Sequence, residues 1–209
     1  MKKIKILSTT LNIAVIPPDE VAIKAIEMSK KITDEVESKF TLDVNRFLPH
    51  ITVYQAQYPN KNINRLKKLV QDLSSQESFK INLDTITISH ETFLFWRCYK
   101  TNILRDLQAK AIEVANPLRE GLIPAQLANV TGLSEGDKYD IKTFGALFIG
   151  PRYDPHITIT RLKRKEDALK TIRILGDSKR LSFSPKALIL GYLGYHGTVT
   201  GIVESFRFK

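Results

Sequence analysis

The sequence predicts an α+β protein: two pseudo-twofold-related lobes, each an antiparallel β-sheet packed with helices, with a central cleft between them. Three observations predict it. One ten-residue phrase occurs twice, as Asn45-Arg-Phe-Leu-Pro-His-Ile-Thr-Val-Tyr54 and Pro151-Arg-Tyr-Asp-Pro-His-Ile-Thr-Ile-Thr160. Its histidines, His50 and His156, lie 106 positions apart (156 less 50), half of the 209-residue chain. Helix-period and strand-period stretches also follow the same order in both halves, with a period too long for a solenoid. Residues 1–209 are read as a single domain, with lobe one at about 17–100 and lobe two at about 101–209. The N-terminal strand is free to be exchanged between the lobes.

Taken in order, Lys5–Ile16 reads as a strand stopped by Pro17-Pro18. Met1–Lys5 and the apolar residues after it have the outline of a secretory signal. Ser8, Thr9, Thr10 and Asn12 interrupt that run, however, and Pro17-Pro18-Asp19-Glu20 replaces a small-residue cleavage site, so the strand reading stands. Asp19 and Glu20 suit the positive end of a helix, and Val21, Ala25, Met28, Ile32 and Val36 recur at helical steps. The first histidine phrase then starts a strand, because proline fits a strand's first position and a β-branched run follows it. Pro59-Asn60-Lys61-Asn62 breaks the chain before a helix striped by Ile63, Leu66, Leu69, Val70 and Leu73. Phe79–Ser89 and Thr92–Tyr99 read as a hairpin turning at His90-Glu91.

A longer helix carries Ile103, Leu107, Ala111, Val114 and Leu118. The stretch 121–142 is turn-rich and is left without an assigned element, as a lid or a crossing. Phe144–Gly150 leads into the second phrase. A short helix over Lys165–Gly176 follows (Ala168, Leu169, Ile172, Leu175), then strands over Arg180–Ser184, Ala187–Tyr195 and Thr198–Phe208, with Tyr195-His196-Gly197 as a turn.

Composition bounds the function. The chain is 43% hydrophobic, enough for a sizeable core, and its formal charge of +10 attracts polyanions. Cys98 is the single cysteine, so no internal disulfide forms. It reads as a buried thiol in a reducing, cytoplasmic setting. No stretch approaches transmembrane length, and a monomer without membrane contact is expected.

Strand side chains alternate, so His50, Thr52 and Tyr54 are expected on one face and Ile51 and Val53 on the other. The same holds for His156, Thr158 and Thr160 against Ile157 and Ile159. Arg161 is off the His156 parity and reaches the same face only if the strand ends or bulges. Two imidazoles facing each other supply a base and an acid near neutral pH. The threonine hydroxyls can grip the non-bridging oxygens of a phosphate between them. Phosphodiester cleavage in that geometry needs no metal. A zinc site built on His50 and His156 lacks a third ligand at suitable spacing. Phe93, Phe95 and Tyr99 share one face of their strand and Trp96 takes the other; such rings can stack a base, although most strand aromatics are core. His90 and His196 read as solvated turn residues, and Arg46 and Arg152 as braces for the strand starts.

The doubled Pro-His-Ile-Thr phrase, the element order and the basic charge resemble the 2H phosphoesterase superfamily. Within it the likeness is greatest to the 2′-5′ RNA ligase-like, cyclic phosphodiesterase branch. It extends from Asn12-Ile-Ala-Val-Ile-Pro-Pro-Asp19 to the final strands. His156-Ile-Thr-Ile-Thr-Arg161 matches that branch's second motif, and His50-Ile-Thr-Val53 the first. Tyr54-Gln-Ala-Gln-Tyr58 departs from the Phe-Leu-Gly continuation common among the ligases. The resemblance implies a cofactor-free, metal-independent phosphodiesterase for a 2′,3′-cyclic or 2′-5′-linked nucleotide, free or at an RNA end. It implies that His156 activates water, that His50 protonates the leaving oxygen and that a 2′-phosphate results. His50, Thr52, His156 and Thr158 are the expected catalytic residues; Arg161, Tyr54 and Trp96 are the expected substrate contacts. A non-catalytic RNA-binding module and a 2′-5′ RNA ligase are the alternatives.

Overall fold

A computed structural model describes residues 7–128, 130–176 and 180–209. Among these residues eight strands form one antiparallel sheet: β1 (Ser8–Ile16), β2 (Ile51–Pro59), β3 (Ile81–Ser89), β4 (Phe93–Cys98), β5 (His156–Arg161), β6 (Leu181–Phe183), β7 (Ala187–Leu193) and β8 (Val199–Phe206). The helices are α1 (Asp19–Thr33), α2 (Ile63–Ser74), α3 (Asn102–Ala115), α4 (Ala125–Ala128), α5 (Glu135–Phe144) and α6 (Ala168–Leu175). Lys5 and Ile6, expected in the first strand, lie outside the described residues, as does the signal-like segment Met1–Lys5.

The strand order β6-β3-β4-β5-β2-β1-β7-β8 explains the internal repeat. The unit β1-α1-β2-α2-β3 is repeated as β4-α3-β5-α6-β7. In each unit the third strand leaves its own pair: β3 pairs with β4, and β7 pairs with β1. Helices cross over in the same way, α1 packing on β5 and α3 on β2, with α2 on β7 and α6 on β3. Each half of the sheet therefore draws on both units. Lobes cut at residue 100 do not describe this arrangement: the first strands, β1 and β4, stay beside β2 and β5, and the third strands, β3 and β7, are the ones exchanged.

Local sequence accounts for most elements. α1 begins after Pro18, whose carbonyl accepts from the Val21 and Ala22 amides, and it buries Val21, Ala25, Ser29 and Ile32. Thr101 caps α3 by accepting from the Leu104 amide at 3.4 Å. The buried stripe of α3 is Leu104, Leu107, Gln108, Ala111 and Ala115, while the expected Ile103 is 46% exposed. The stripe is rotated because Gln108 is committed inward, donating to the Phe148 carbonyl and accepting from the Gly150 amide. In α6, Leu169 and Ile172 face solvent and Thr171 is buried, its hydroxyl bonded to the Asp167 carbonyl.

The unassigned stretch 121–142 contains α4 and most of α5. A capping box starts α5: Ser134 Oγ accepts from the Asp137 amide and the Asp137 carboxylate accepts from the Ser134 amide. Gly132 and Gly136 and a thin apolar stripe hide this helix from periodicity. Arg119, 4% exposed, ties the connection to the body. Its guanidinium donates to Asn116 Oδ1 and to the carbonyls of Leu122, Lys142 and Thr143. Cys98 is buried, and burial pushes its thiol pKa up. No described helix is long and apolar enough to cross a membrane.

Candidate active site

β2 and β5 meet at one register pair, Ile51 opposite Ile157. The strands are antiparallel and overlap only near their starts, then run away from each other. Directly opposed residues share a face, so the register sets His50 across from Thr158 and Thr52 across from His156, on the side opposite the two isoleucines. Cβ atoms in such positions are about 4.5–5.5 Å apart, and the His50–His156 diagonal spans roughly 7–8 Å. Both isoleucines have no exposed surface, while Thr52, His156 and Thr158 are partly exposed. His50 is nearly buried, at 5%.

Each histidine strand carries a bulge at the same place. Ile13 and Ala14 are neighbours on β1 but pair with Tyr54 and Thr52, which leaves Val53 as the extra residue. Leu94 and Phe95 likewise pair with Thr160 and Thr158, which leaves Ile159 extra. A bulge shifts the alternation by one. Val53 and Tyr54 are consequently both buried, as are Ile159 and Thr160, and Gln55 and Arg161 come out on the histidine side.

The two imidazoles are held alike. Nδ1–H of His50 donates to the Leu48 carbonyl at 2.8 Å, and Nδ1–H of His156 donates to the Asp154 carbonyl at 2.6 Å. This tautomer, assigned from the bonding, leaves the Nε2 lone pair for chemistry. Burial lowers the pKa of His50, opposed by backbone hydrogen bonds with Leu48 and Gly197. His156 is pushed down to about 4, chiefly by burial, with the neighbouring His50 and Arg97 adding to the effect and Asp154 opposing it. The His156 ring stacks on Phe95 at 3.5 Å between centroids and meets Phe148 edge-on. Arg97, opposite His156 in the register, is ion-paired with Asp154 and donates to Thr87 Oγ1.

The expected substrate contacts divide. Arg161 reaches the histidine face through the Ile159 bulge, lies 4.5 Å over the Phe93 ring and donates to His196 Nδ1 at 3.0 Å. Tyr54 does not reach it. The Val53 bulge turns Tyr54 into the core, 1% exposed, where its hydroxyl bonds the Phe144 carbonyl and Asn116 Oδ1. Trp96 pairs with Ile157 on the buried side and gives its indole N–H to the Asp84 carbonyl. Neither ring lines the cleft, and of the β4 aromatics it is Phe93 and Phe95 that take the histidine side. Thr160 is also core, bonded to the Phe40 carbonyl.

Several neighbours of the site are not evident in the sequence. Asn12 donates Nδ2 to Thr52 Oγ1 at 2.9 Å. Gln55 holds the place that Arg161 holds in the other unit. His196, expected in solvent, stacks on Phe40 and accepts from Arg161, and Gly197 beside it bonds His50. A signal for His196 does exist: it follows His90 by the same 106 positions (196 less 90) that separate His50 and His156. Both turn histidines have a left-handed backbone, with φ of 45° and 63°. Of the two arginines expected as braces, Arg152 bonds the Gly136 carbonyl and pairs with Asp140 of α5, whereas Arg46 lies over Phe47.

No protein-family model and no curated protein matches this sequence. Solved structures do share its architecture. The crystal structure of TT0787 of Thermus thermophilus aligns with a TM-score of 0.58 at 16% identity, over 94% of this chain and 96% of that one. E. coli LigT complexed with NADP+ aligns with a TM-score of 0.50 at 14% identity, over 97% of this chain and 99% of that one. At these identities the likeness is one of fold alone.

Proposed function

We propose that this chain is a metal-independent phosphodiesterase of the 2H class, hydrolysing a 2′,3′-cyclic or 2′-5′-linked nucleotide, free or at an RNA end. The observation that carries the reading is the antiparallel meeting of two His-x-Thr segments around the Ile51–Ile157 pair. That arrangement surrounds one phosphate with two imidazoles and two hydroxyls, related by a local twofold axis. The net charge of +10 favours an anionic substrate, and the structurally similar E. coli LigT holds NADP+, a nucleotide.

In this mechanism His156 Nε2 takes a proton from water, whose oxygen attacks phosphorus. The bond to the 3′ oxygen breaks, and His50 gives that oxygen a proton, leaving a 2′-phosphomonoester. His156 suits the base because burial, His50 and Arg97 all favour its neutral form. Burial lowers the pKa of His50 in the free protein, its two backbone partners oppose that, and in this reading the charge of the bound diester restores the imidazolium that serves as the acid. The threonines donate to the equatorial oxygens, where charge builds up in the transition state.

The test is turnover of a 2′,3′-cyclic nucleotide in EDTA, with the product identified by phosphorus NMR. His50→Ala and His156→Ala should each lose at least about 10²-fold in kcat. Full activity in either variant, or loss of wild-type activity to the chelator, would overturn the mechanism. Tight RNA binding without turnover would make the cleft a recognition module.

A further inference from the structure

We propose that Asn12 is a positioning residue that commits the Thr52 hydroxyl to donate to the substrate phosphate; the inference rests on the phosphodiesterase reading above. Asn12 lies on β1 with no exposed surface. Its side chain can reach Thr52 because of the bulge at Val53. Ala14 stands directly across from Thr52 and offers only a methyl, which leaves room for the Asn12 amide beside it.

The direction of that hydrogen bond matters. A hydroxyl has one proton and two lone pairs, and an amide nitrogen can only donate. Thr52 Oγ1, by accepting from Asn12 Nδ2, keeps its own proton for a different acceptor. Among the described residues no acceptor for it is found, and the side chain stands on the face that carries His50 and His156.

A second observation points the same way. Asn12 Oδ1 is buried without a hydrogen-bond partner among the described residues. Unsatisfied buried acceptors are uncommon in folded proteins and call for an explanation. Turning the amide over would satisfy Oδ1 with the Thr52 proton, at the expense of the donor the phosphate needs. The unpartnered oxygen is thus the cost of leaving Thr52 free to donate. The other unit lacks this device, since the position matching Asn12 is Phe93, which has no polar group. The two threonines are therefore unequal, with Thr52 held and Thr158 left to rotate.

Asn12→Asp is the informative change, because a carboxylate has the same shape and only accepts. It should capture the Thr52 proton and cost about tenfold or more in kcat on a 2′,3′-cyclic nucleotide, with a smaller change in KM. Asn12→Leu removes the amide without capturing the proton, so its loss should be smaller than that of Asn12→Asp. In a Thr52→Val background both changes should have no further effect, and in a Thr158→Val background they should keep their full effect. Losses that persist undiminished beside Thr52→Val would reduce Asn12 to a structural residue, as would wild-type kinetics in Asn12→Asp. Should Asn12→Asp fail to fold, the Asn12→Leu cycle gives the same coupling. Inorganic phosphate titrated by NMR separates this inference from the proposed function. If wild-type protein turns over no diester, the function is wrong. Weaker phosphate binding in Asn12→Asp than in Asn12→Leu would still support the role of Asn12, and equal binding, or none to wild type, would end it.

Discussion

The phenol of Tyr153 donates to the backbone carbonyl of Thr52 at 3.0 Å, so a residue of the second histidine segment holds the first in place. Tyr153 matches Phe47 of the first segment, which has no hydroxyl to return the contact. Burial pushes the phenol pKa up, keeping it a donor across the working pH range. Tyr153→Phe should lower stability by about 0.5–1.5 kcal/mol, the usual net value of such a bond. It should also lower kcat, because Thr52 is no longer tied to the opposing strand. Denaturant unfolding and steady-state kinetics read the two effects, and a variant unchanged in both would deny the brace any role.

The acid limb of the pH–kcat/KM profile should fall below pH 6.5, towards pH 4, because His156 stays neutral until then. The alkaline limb of kcat should lie above that of kcat/KM, since a bound diester favours protonated His50. Folding stability should follow the same group. The folded pKa of His156 lies below the unfolded value near 6.5, so the unfolded state binds more protons between about pH 4 and 6.5. Stability is thus full above 6.5 and is lost as pH falls through this window. His156→Gln should flatten melting temperature against pH there, and an unchanged slope would contradict the shift.

Thr52→Val and Thr158→Val keep shape and strand propensity but remove the hydroxyls. A hydrogen bond to a charged group contributes about 1.5–3 kcal/mol, so turnover should fall roughly 10–150-fold per site. The loss should be greater at Thr52, whose hydroxyl is held by Asn12. Wild-type kinetics in both variants, with unchanged melting temperature, would make the threonines structural and the phosphate grip wrong.

Tyr54→Phe separates core from cleft. It removes the hydroxyl bonded to the Phe144 carbonyl and Asn116, so stability should fall by about 1–3 kcal/mol while KM stays at the wild-type value. Phe95→Leu should do the opposite, sparing most of the stability and lowering kcat as His156 loses its stacking surface. A raised KM in Tyr54→Phe would mean that the ring turns into the cleft in solution.

The local chain determines a good deal of this protein. Proline before a β-branched run sets where both histidine strands begin, and the repeat of that phrase pairs His50 with His156 and Thr52 with Thr158. Helical spacing locates α1, α2, α3 and α6, although it misplaces the buried side of α3 and α6. Long-range contacts decide that side, Gln108 turning inward to meet the 148–150 backbone. α5 is not legible in the pattern because its start rests on a Ser134–Asp137 capping box within a glycine-containing stretch. Its hold on the body rests on Arg119, which lies before the whole connection in sequence.

The bulges are a further matter for tertiary structure. Val53 and Ile159 are ordinary strand residues in the sequence, and nothing local marks them as extra. Whether one is extra depends on the strand beside it, through the pairings of Ile13 and Ala14 and of Leu94 and Phe95. That single shift sends Tyr54 inward and Arg161 outward, reversing what strict alternation allows. The exchange of β3 and β7 between the halves, and the reach of Asn12 to Thr52, likewise exist only once strands distant in sequence are paired. Side-chain identity fixes which chemistry is available, and the register of neighbouring strands fixes which side chains can share it.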